Sequence, residues 1–247
     1  MMRIGCVFLL LAVSDCTLAA PVSGLEYLSE ANRAMQEDEF SNPGYLWVDA
    51  GRELFEEKIG ANACADCHPV ESMAGVSLEF PKYDQESDAL MDLTGQINEC
   101  RVERQQVPPL DYESQPLLSL LTFLNELSRG LTIDIEVTPV TRRFFDEGKA
   151  FYYRQRGQLN LSCAQCHEQS VGKRLRGEVI SEGHLNGYPA YRHIWETLGS
   201  VQRMFRWCNE AVRAEPWPPG SPQYINLEYY LKWRADGLRI ETPAVRR

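Results

Sequence analysis

"CADCH" at residues 64–68 and "CAQCH" at residues 163–167 decide how this 247-residue chain folds. In C-x-x-C-H, two thiols separated by two residues precede a histidine at once. That spacing lets the thiols add to the two vinyl groups of one haem while the histidine takes the iron from one side. Four cysteines around one zinc ion, or a redox dithiol, use the same C-x-x-C element. Neither requires a histidine after each of two copies. The expectation is two covalently bound haem c groups, attached at Cys64 and Cys67 and at Cys163 and Cys166, with His68 and His167 as proximal iron ligands.

Outward from the motifs, the chain repeats itself. "AGRELFEEKIGANACADCH" and "EGKAFYYRQRGQLNLSCAQCH" align, Gly51 with Gly148 and Leu54–Phe55 with Phe151–Tyr152. Each reads as a helix leading into its motif. Further on, "PLLSLLTFLNELSRG" (116–130) and "QYINLEYYLKWRADG" (223–237) are apolar at helical spacing and end in glycine, with Phe123–Leu124 and Tyr229–Tyr230 in comparable places. Helix, haem loop, irregular segment and helix make up a small cytochrome c plan. The fold expected is all-α, with two tandem cytochrome c-like domains at 46–135 and 136–247, the boundary lying near "TIDIEVTPVT" (132–141). Residues 21–45 form an N-terminal extension, in which "LEYLSEANRAMQEDEF" reads as an acidic amphipathic helix packed on a domain.

The first twenty residues read as a signal peptide: Arg3, the short apolar run "CVFLLLAV", then the small residues of "TLAA". Cys16 raises a lipidation site, but Asp15 before it is not the small residue such a site needs, so cleavage after Ala20 is expected. The apolar run is too short to span a bilayer and no later stretch is longer. Export to the periplasm follows, where oxidised sulfur is tolerated. A formal net charge of −10 argues against nucleic acid, which needs basic surface.

Each iron then needs a second axial ligand or an open position. No histidine lies between His68 and His167, so the first haem has no second histidine within its own half. His184 and His193 fall in "EGHLNGYPAYRHIW", which reads as a loop. Methionine is the common choice, and Met73, Met91 and Met204 are available. One leftover thiol also stands in each half: Cys100 in "QINECR" and Cys208 in "RMFRWCNE", each between its motif and its last helix. A Cys100–Cys208 disulfide or two buried thiols is the competing reading. The repeat favours ligation, since equivalent residues of two similar halves face their own haems. Arg101, and Arg203 or Arg206, would favour thiolate. Met204 stands four residues before Cys208, on the same helical face, and remains a rival at the second iron.

These residues resemble the SoxA family, the dihaem subunit of the SoxAX cytochromes of bacterial thiosulfate oxidation. The resemblance spans roughly residues 25–240 and rests on both haem motifs, "INECR" at Cys100, "GYPAYR" at 187–192 and above all "CNEAVRAEP" at 208–216. It implies histidine–thiolate ligation, His68 with Cys100 and His167 with Cys208, and makes Cys208 the active-site sulfur, which is found as a persulfide in the family. Family members place an arginine close before that cysteine; here Met204 stands four before it, with Arg203 and Arg206 as candidate substrate-binding residues. Arg213 and Glu215 match the family string, and two readings stand side by side for them: shaping the pocket, or a purely structural role in that turn. The implied reaction joins thiosulfate to a cysteine of a SoxYZ-like sulfur carrier, with electrons passing to a SoxX-like c-type cytochrome in a heterodimer. The alternatives are a plain dihaem electron carrier with methionine ligands and a dihaem peroxidase with an open distal position.

Overall fold

The computed structural model describes residues 20–247, so the expected leader, with Cys6 and Cys16, lies outside the described residues except for Ala20. Two long-range helix pairs organise the rest. α2 (Tyr45–Glu56) packs on α4 (Gln115–Glu126), and α5 (Arg142–Tyr153) packs on α8 (Pro222–Arg234). The sequence makes these helices in matching ways. α2 buries Val48, Gly51 and Phe55, and α5 buries Phe144, Gly148, Phe151 and Tyr152, spacings that put one stripe inward. α4 and α8 each start with a proline in the first turn, where no amide hydrogen bond is lost.

Where each pair crosses, the backbones nearly touch. A Cβ built on Gly51 would lie 2.1 Å from the Ser119 carbonyl oxygen, and one on Gly148 would lie 2.0 Å from that of Asn226. The nearest side-chain contacts are Phe123 Cβ at 2.7 Å and Tyr230 Cβ at 2.9 Å. Ser119 therefore corresponds to Asn226, and Phe123 to Tyr230. The match expected from sequence, Phe123–Leu124 with Tyr229–Tyr230, slips by one residue. Around the crossings lie separate apolar clusters, one holding Phe55, Leu117 and Phe123, the other Tyr152, Tyr224, Leu227 and Tyr230.

The all-α expectation is corrected by three small sheets. β1 (Lys82–Asp84) pairs antiparallel with β2 (Ala89–Met91), and β3 (Arg174–Leu175) pairs with β4 (Glu178–Val179). β5 (Ala190–Arg192) pairs antiparallel with β6 (Thr197–Gly199) and parallel with β7 (Ala244–Arg246). Strands of two or three residues are too short to show alternation in sequence. The stretch read as a loop, "EGHLNGYPAYRHIW", thus contains β5.

Two of these hairpins extend the repeat. Lys82 pairs with Met91 and Asp84 with Ala89; Ala190 pairs with Gly199 and Arg192 with Thr197. Asp88 and Glu196, at φ 51° and 53°, turn the chain at the same place in both. Each hairpin then feeds a helix: α3 (Leu93–Cys100), capped by Asp92, and α7 (Val201–Ala211), capped by Ser200. After α3 the chain passes through a π-helical turn, Arg101–Gln105, and α7 has none. Gln106 and Arg213, at φ 59° and 58°, close the two segments, fourteen residues after Asp92 and thirteen after Ser200. The first half carries one residue more here, which the wider π turn absorbs.

The halves are fastened by buried polar contacts. Lys232 on α8 donates to the carbonyls of Ser77 (2.8 Å), Leu78 (2.7 Å) and Phe80 in the first half. Those acceptors use all three ammonium hydrogens. Gln202 Nε2 donates to Asp92 (2.8 Å) and Glu228 (3.3 Å), beside a cavity of about 60 Å³ that Tyr112 and Lys232 also line. Burial and the neighbouring Asp92 push Glu228 up to about 8, and burial raises Asp92 as well. Glu228 carries the proton of the pair at neutral pH, because Asp92 has the stronger donors, Gln202 and the Gly95 amide. The N-terminal extension forms a 3₁₀ turn (Gly24–Tyr27) and α1 (Glu30–Glu37). It packs on β7, where buried Gln36 accepts from the Val245 amide at 3.1 Å and Asn42 donates to the Pro243 carbonyl at 2.9 Å.

Two predictions follow from this packing. Gly148→Ala forces a methyl into a carbonyl that belongs to a packed helix, and should lower the urea-unfolding free energy by about 1–3 kcal/mol or more. Alanine at exposed Glu53 on α2 should leave it nearly unchanged, and equal effects would refute the close crossing. Glu228 has its folded-state pKa raised, so its contribution is complete below the ordinary carboxylate range and lost as pH rises towards 8. Glu228→Gln should therefore lose less stability than the wild type between pH 5 and pH 8. Identical slopes would contradict the buried protonated carboxyl.

Candidate functional site

The second motif folds as a short helix, α6 (Cys163–His167), opened by a capping box in which Ser162 and Gln165 satisfy each other's backbone amides. Cys163 packs against the second apolar cluster. The His167 ring donates through Nδ1 to the Ser181 carbonyl at 2.8 Å, which leaves Nε2 for a metal. Gly183, at φ 74°, makes room for that ring, since a Cβ there would stand 2.7 Å from it.

Across from this helix, α7 presents Cys208. The Cys163, Cys166 and Arg192 side chains all act electrostatically on its thiol, so the three cysteines share one environment. Burial pushes Cys208 up to about 12, with Arg192 the charge that opposes the rise. The arginine expected to favour thiolate at Cys208 was Arg203 or Arg206, and the structure supplies Arg192 instead. Helix periodicity explains this: Met204, four residues before, shares the Cys208 face, whereas residues two and five before point elsewhere. Arg203 lies 4.5 Å over the Trp195 ring and donates to the Leu198 carbonyl at 3.4 Å. Arg206 acts on Tyr224, on the α8 side.

Arg192 is the residue that motif reading missed, although it ends the "GYPAYR" string. It sits on β5 only 5% exposed. Its Nη2 donates to both oxygens of Glu178, at 3.0 and 2.9 Å, and its Nη1 to Met204 Sδ at 3.4 Å. Its guanidinium lies 5.2 Å from the Trp195 ring, which packs edge-to-face with Trp207 at 5.9 Å. The corresponding residue of the first hairpin is Asp84, by strand register.

The first site is plainer. Cys64 packs on the first apolar cluster, but Cys67 and His68 are exposed in a turn held by the His68 amide on the Cys64 carbonyl at 3.0 Å. Burial and the Cys100 thiol push Cys64 up, against the pull of Arg101. Cys100 stands eight residues after its helix cap, as does Cys208. The place of Met204 is taken by Gln96, which donates to Cys100 Sγ at 3.7 Å. Met73 packs in the first cluster and Met91 lies on β2.

The remaining histidine candidates have partners of their own. Buried His184 pairs through Nε2 with Glu182 at 2.8 Å, next to the Ser181 that holds His167, and His193 packs edge-on to Tyr191 at 5.7 Å. All six described cysteines are free, so Cys100 and Cys208 form no disulfide. The four motif cysteines are divided between two cores and, among the described residues, no cluster of three or more His, Cys, Asp or Glu is placed to hold a bare metal ion. Arg213 and Glu215 build the scaffold: the Arg213 carbonyl accepts from the Gln158 amide at 3.3 Å, and Arg156 donates to the Glu215 carbonyl at 2.9 Å. The donor set of two thiols, a histidine with one free nitrogen and a facing thiol fits haem c at the second motif.

Gly183→Ala should displace the His167 ring, lowering haem content or changing the ferric spectrum of the second site. Gly172, at φ 81° with nothing within 4 Å of a built Cβ, controls for backbone strain alone. A Gly172→Ala variant with the same spectral change would remove the steric argument.

With the geometry in place, comparison with known proteins is direct. The family model for the SoxA/TsdA cytochrome c domain matches residues 50–133, the half that holds the first motif. The L-cysteine S-thiosulfotransferase subunit SoxA of Pseudaminobacter salicylatoxidans is 34% identical over 230 residues, covering 91% of this chain and 80% of the relative. That of Rhodovulum sulfidophilum is 32% identical, covering 91% and 79%. The crystal structure of SoxXA from P. pantotrophus superposes with a TM-score of 0.88 at 31% identity, over 92% of this chain and 87% of that one. At this identity and coverage, this chain is a member of the SoxA family.

Proposed function

We infer that the protein is the SoxA subunit of an L-cysteine S-thiosulfotransferase, joining thiosulfate oxidatively to a cysteine on a SoxYZ-like carrier. The observation that carries this reading is the environment that Cys208 shares with the motif cysteines Cys163 and Cys166, with buried Arg192 beside it. Two cytochrome c-like domains, 46–135 and 136–247, hold one haem c each. Cys64 and Cys67 would attach the first and Cys163 and Cys166 the second, with His68 and Cys100, and His167 and Cys208, as axial ligands. When bound, the haem supplies one-electron redox chemistry and an iron that keeps the facing thiol deprotonated.

The chain's own residues do the rest. Joining a carrier thiol to thiosulfate forms one S–S bond and breaks one S–H bond, releasing one proton and two electrons. The electrons leave to a SoxX-like c-type cytochrome, as the SoxXA title of the structural relative suggests. Cys208 serves as iron ligand and as the sulfur that meets the substrate. Arg203 and Arg206 add positive field on the flanks of α7, which helps draw a dianion into an otherwise acidic protein. The first haem serves electron transfer or structure, since its hairpin carries Asp84 where the second carries Arg192. No helix among the described residues is long and apolar enough to cross a membrane, and the leader read at residues 1–20 directs the mature chain to the periplasm. A methionine-ligated carrier fits less well, because the counterpart of Met204 in the first half is Gln96.

Cys208→Ala tests this reading. The variant should retain both covalent haems, judged by mass spectrometry, yet lose thiosulfate-dependent modification of the carrier cysteine. Normal turnover with an unaltered spectrum would make Cys208 a bystander and favour the electron-carrier reading. Cys163→Ala with Cys166→Ala should lose one haem of two and all activity.

A further inference from the structure

Arg192 is a buried cation whose hydrogen-bonding capacity is only partly used. A guanidinium has five N–H donors. Glu178 engages Nη2, at 3.0 and 2.9 Å. Three donors remain, two on Nη1 and one on Nε. Nη1 meets Met204 Sδ at 3.4 Å, and a thioether is a weak acceptor; the Tyr188 hydroxyl also stands close to the guanidinium. Nε is buried with no hydrogen-bond partner. Leaving such donors without acceptors is costly, so the arrangement calls for an acceptor that arrives from outside.

The position is built, too. The Trp195 ring carries two guanidiniums, Arg192 at 5.2 Å and Arg203 at 4.5 Å. Gly199 allows this column to lie flat on β6: a Cβ there would stand 2.6 Å from the Trp195 ring and 2.8 Å from Arg203 Cδ. Glu178 on β4 fixes the plane of the guanidinium from the other side. Met204 lies one turn before Cys208 on the same face of α7, so its contact with Nη1 sets the guanidinium beside the turn that holds the thiol. The first half repeats the hairpin and the helix but not this group. Asp84 takes the place of Arg192, and Gly95 and Gln96 those of Arg203 and Met204.

We propose that Arg192 is the residue that binds the oxyanion end of the substrate, through Nε and Nη1, with Glu178 and Trp195 as positioning residues. This rests on the thiosulfate reading of the site and names the contact that reading leaves open. An anion with several oxygens takes two hydrogen bonds from one planar guanidinium, which holds its remaining sulfur in a fixed direction. Arg203 and Arg206 then contribute field rather than contact.

The test uses the haem-loaded protein with its cytochrome partner. Arg192→Gln should raise the KM for thiosulfate about ten- to a hundredfold, the loss of a charge-assisted contact, with a smaller change in kcat. Calorimetric titration with thiosulfate, and with sulfate as a non-reacting oxyanion, should show the same loss of binding. Haem content and the ferric spectrum should stay as in the wild type. Arg192→Lys should restore only part of the affinity, because an ammonium lacks the planar fork. Glu178→Gln, which removes a competing carboxylate but keeps an acceptor, should tighten thiosulfate by about two- to fivefold. That variant stands in where Arg192→Gln fails to fold. Unchanged KM and unchanged calorimetry in Arg192→Gln, or weaker binding in Glu178→Gln, would overturn the assignment. If carrier conjugation is not the reaction, oxyanion calorimetry still reads Arg192 independently. Loss of conjugation with binding intact would overturn Arg192 while leaving the reaction standing.

Discussion

The approach of one helix backbone to another at a single glycine sets the rest of this structure. At Gly51 and again at Gly148, the first helix of a half lies so close to the last that a methyl group would collide with a carbonyl oxygen. Close approach leaves little space between the helices, so the apolar rings Phe55 and Phe123, or Tyr152 and Tyr230, fill the sides of the crossing. The haem motif follows directly after the first helix and is thereby carried to the edge of that core. A second glycine in each half, Gly60 or Gly157, at φ 69° or 68°, repeats the device. It lets the motif loop press on the carbonyl of Gln105 or Val212, just past the cysteine helix. Two contacts thus tie each motif to the core and to the end of its cysteine segment.

On this common frame, the halves diverge in side chains. The backbone of the hairpin and helix that deliver Cys100 also delivers Cys208, cap to cysteine in the same number of residues. What differs is charge and aromatic surface. The first hairpin carries Asp84 and the first helix Gly95 and Gln96; the second carries Arg192, Arg203 and Met204, with Trp195 between the two guanidiniums. The second half also gains the β3–β4 hairpin, whose Glu178 holds Arg192, and β7, on which the N-terminal extension lies. The repeated backbone supplies geometry, and the side chains that differ supply chemistry. Gln202, in the first turn of α7, donates to Asp92, the cap of α3, and Lys232 ties α8 to the Ser77–Phe80 segment, so buried polar contacts hold the two halves together.

Much of this was legible in the sequence. The C-x-x-C-H spacing, the two glycines and the helical stripes gave the helices and the walls of both sites, because each depends on local spacing. Equivalence of Cys100 and Cys208 was legible by elimination among a few sulfur and nitrogen donors. The three sheets were hidden because their strands are shorter than any alternation, and the one-residue slip of Phe123 against Tyr230 because adjacent apolar pairs, Phe123–Leu124 and Tyr229–Tyr230, do not fix a register by themselves. Arg192 escaped for a different reason. It lies sixteen residues before Cys208, and only the pairing of β5 with β6 folds it back. Arg203 and Arg206 stood close in sequence and so drew attention, but helix periodicity turns both away from the Cys208 face.

The central claim is that one of two equivalent cysteines has become the reactive sulfur. Tandem mass spectrometry of the peptides bearing Cys100 and Cys208, from protein incubated with thiosulfate, tests it most directly. The account predicts extra sulfur on Cys208 and an unmodified Cys100. Added sulfur on Cys100, or none on either residue while carrier modification proceeds, would contradict it.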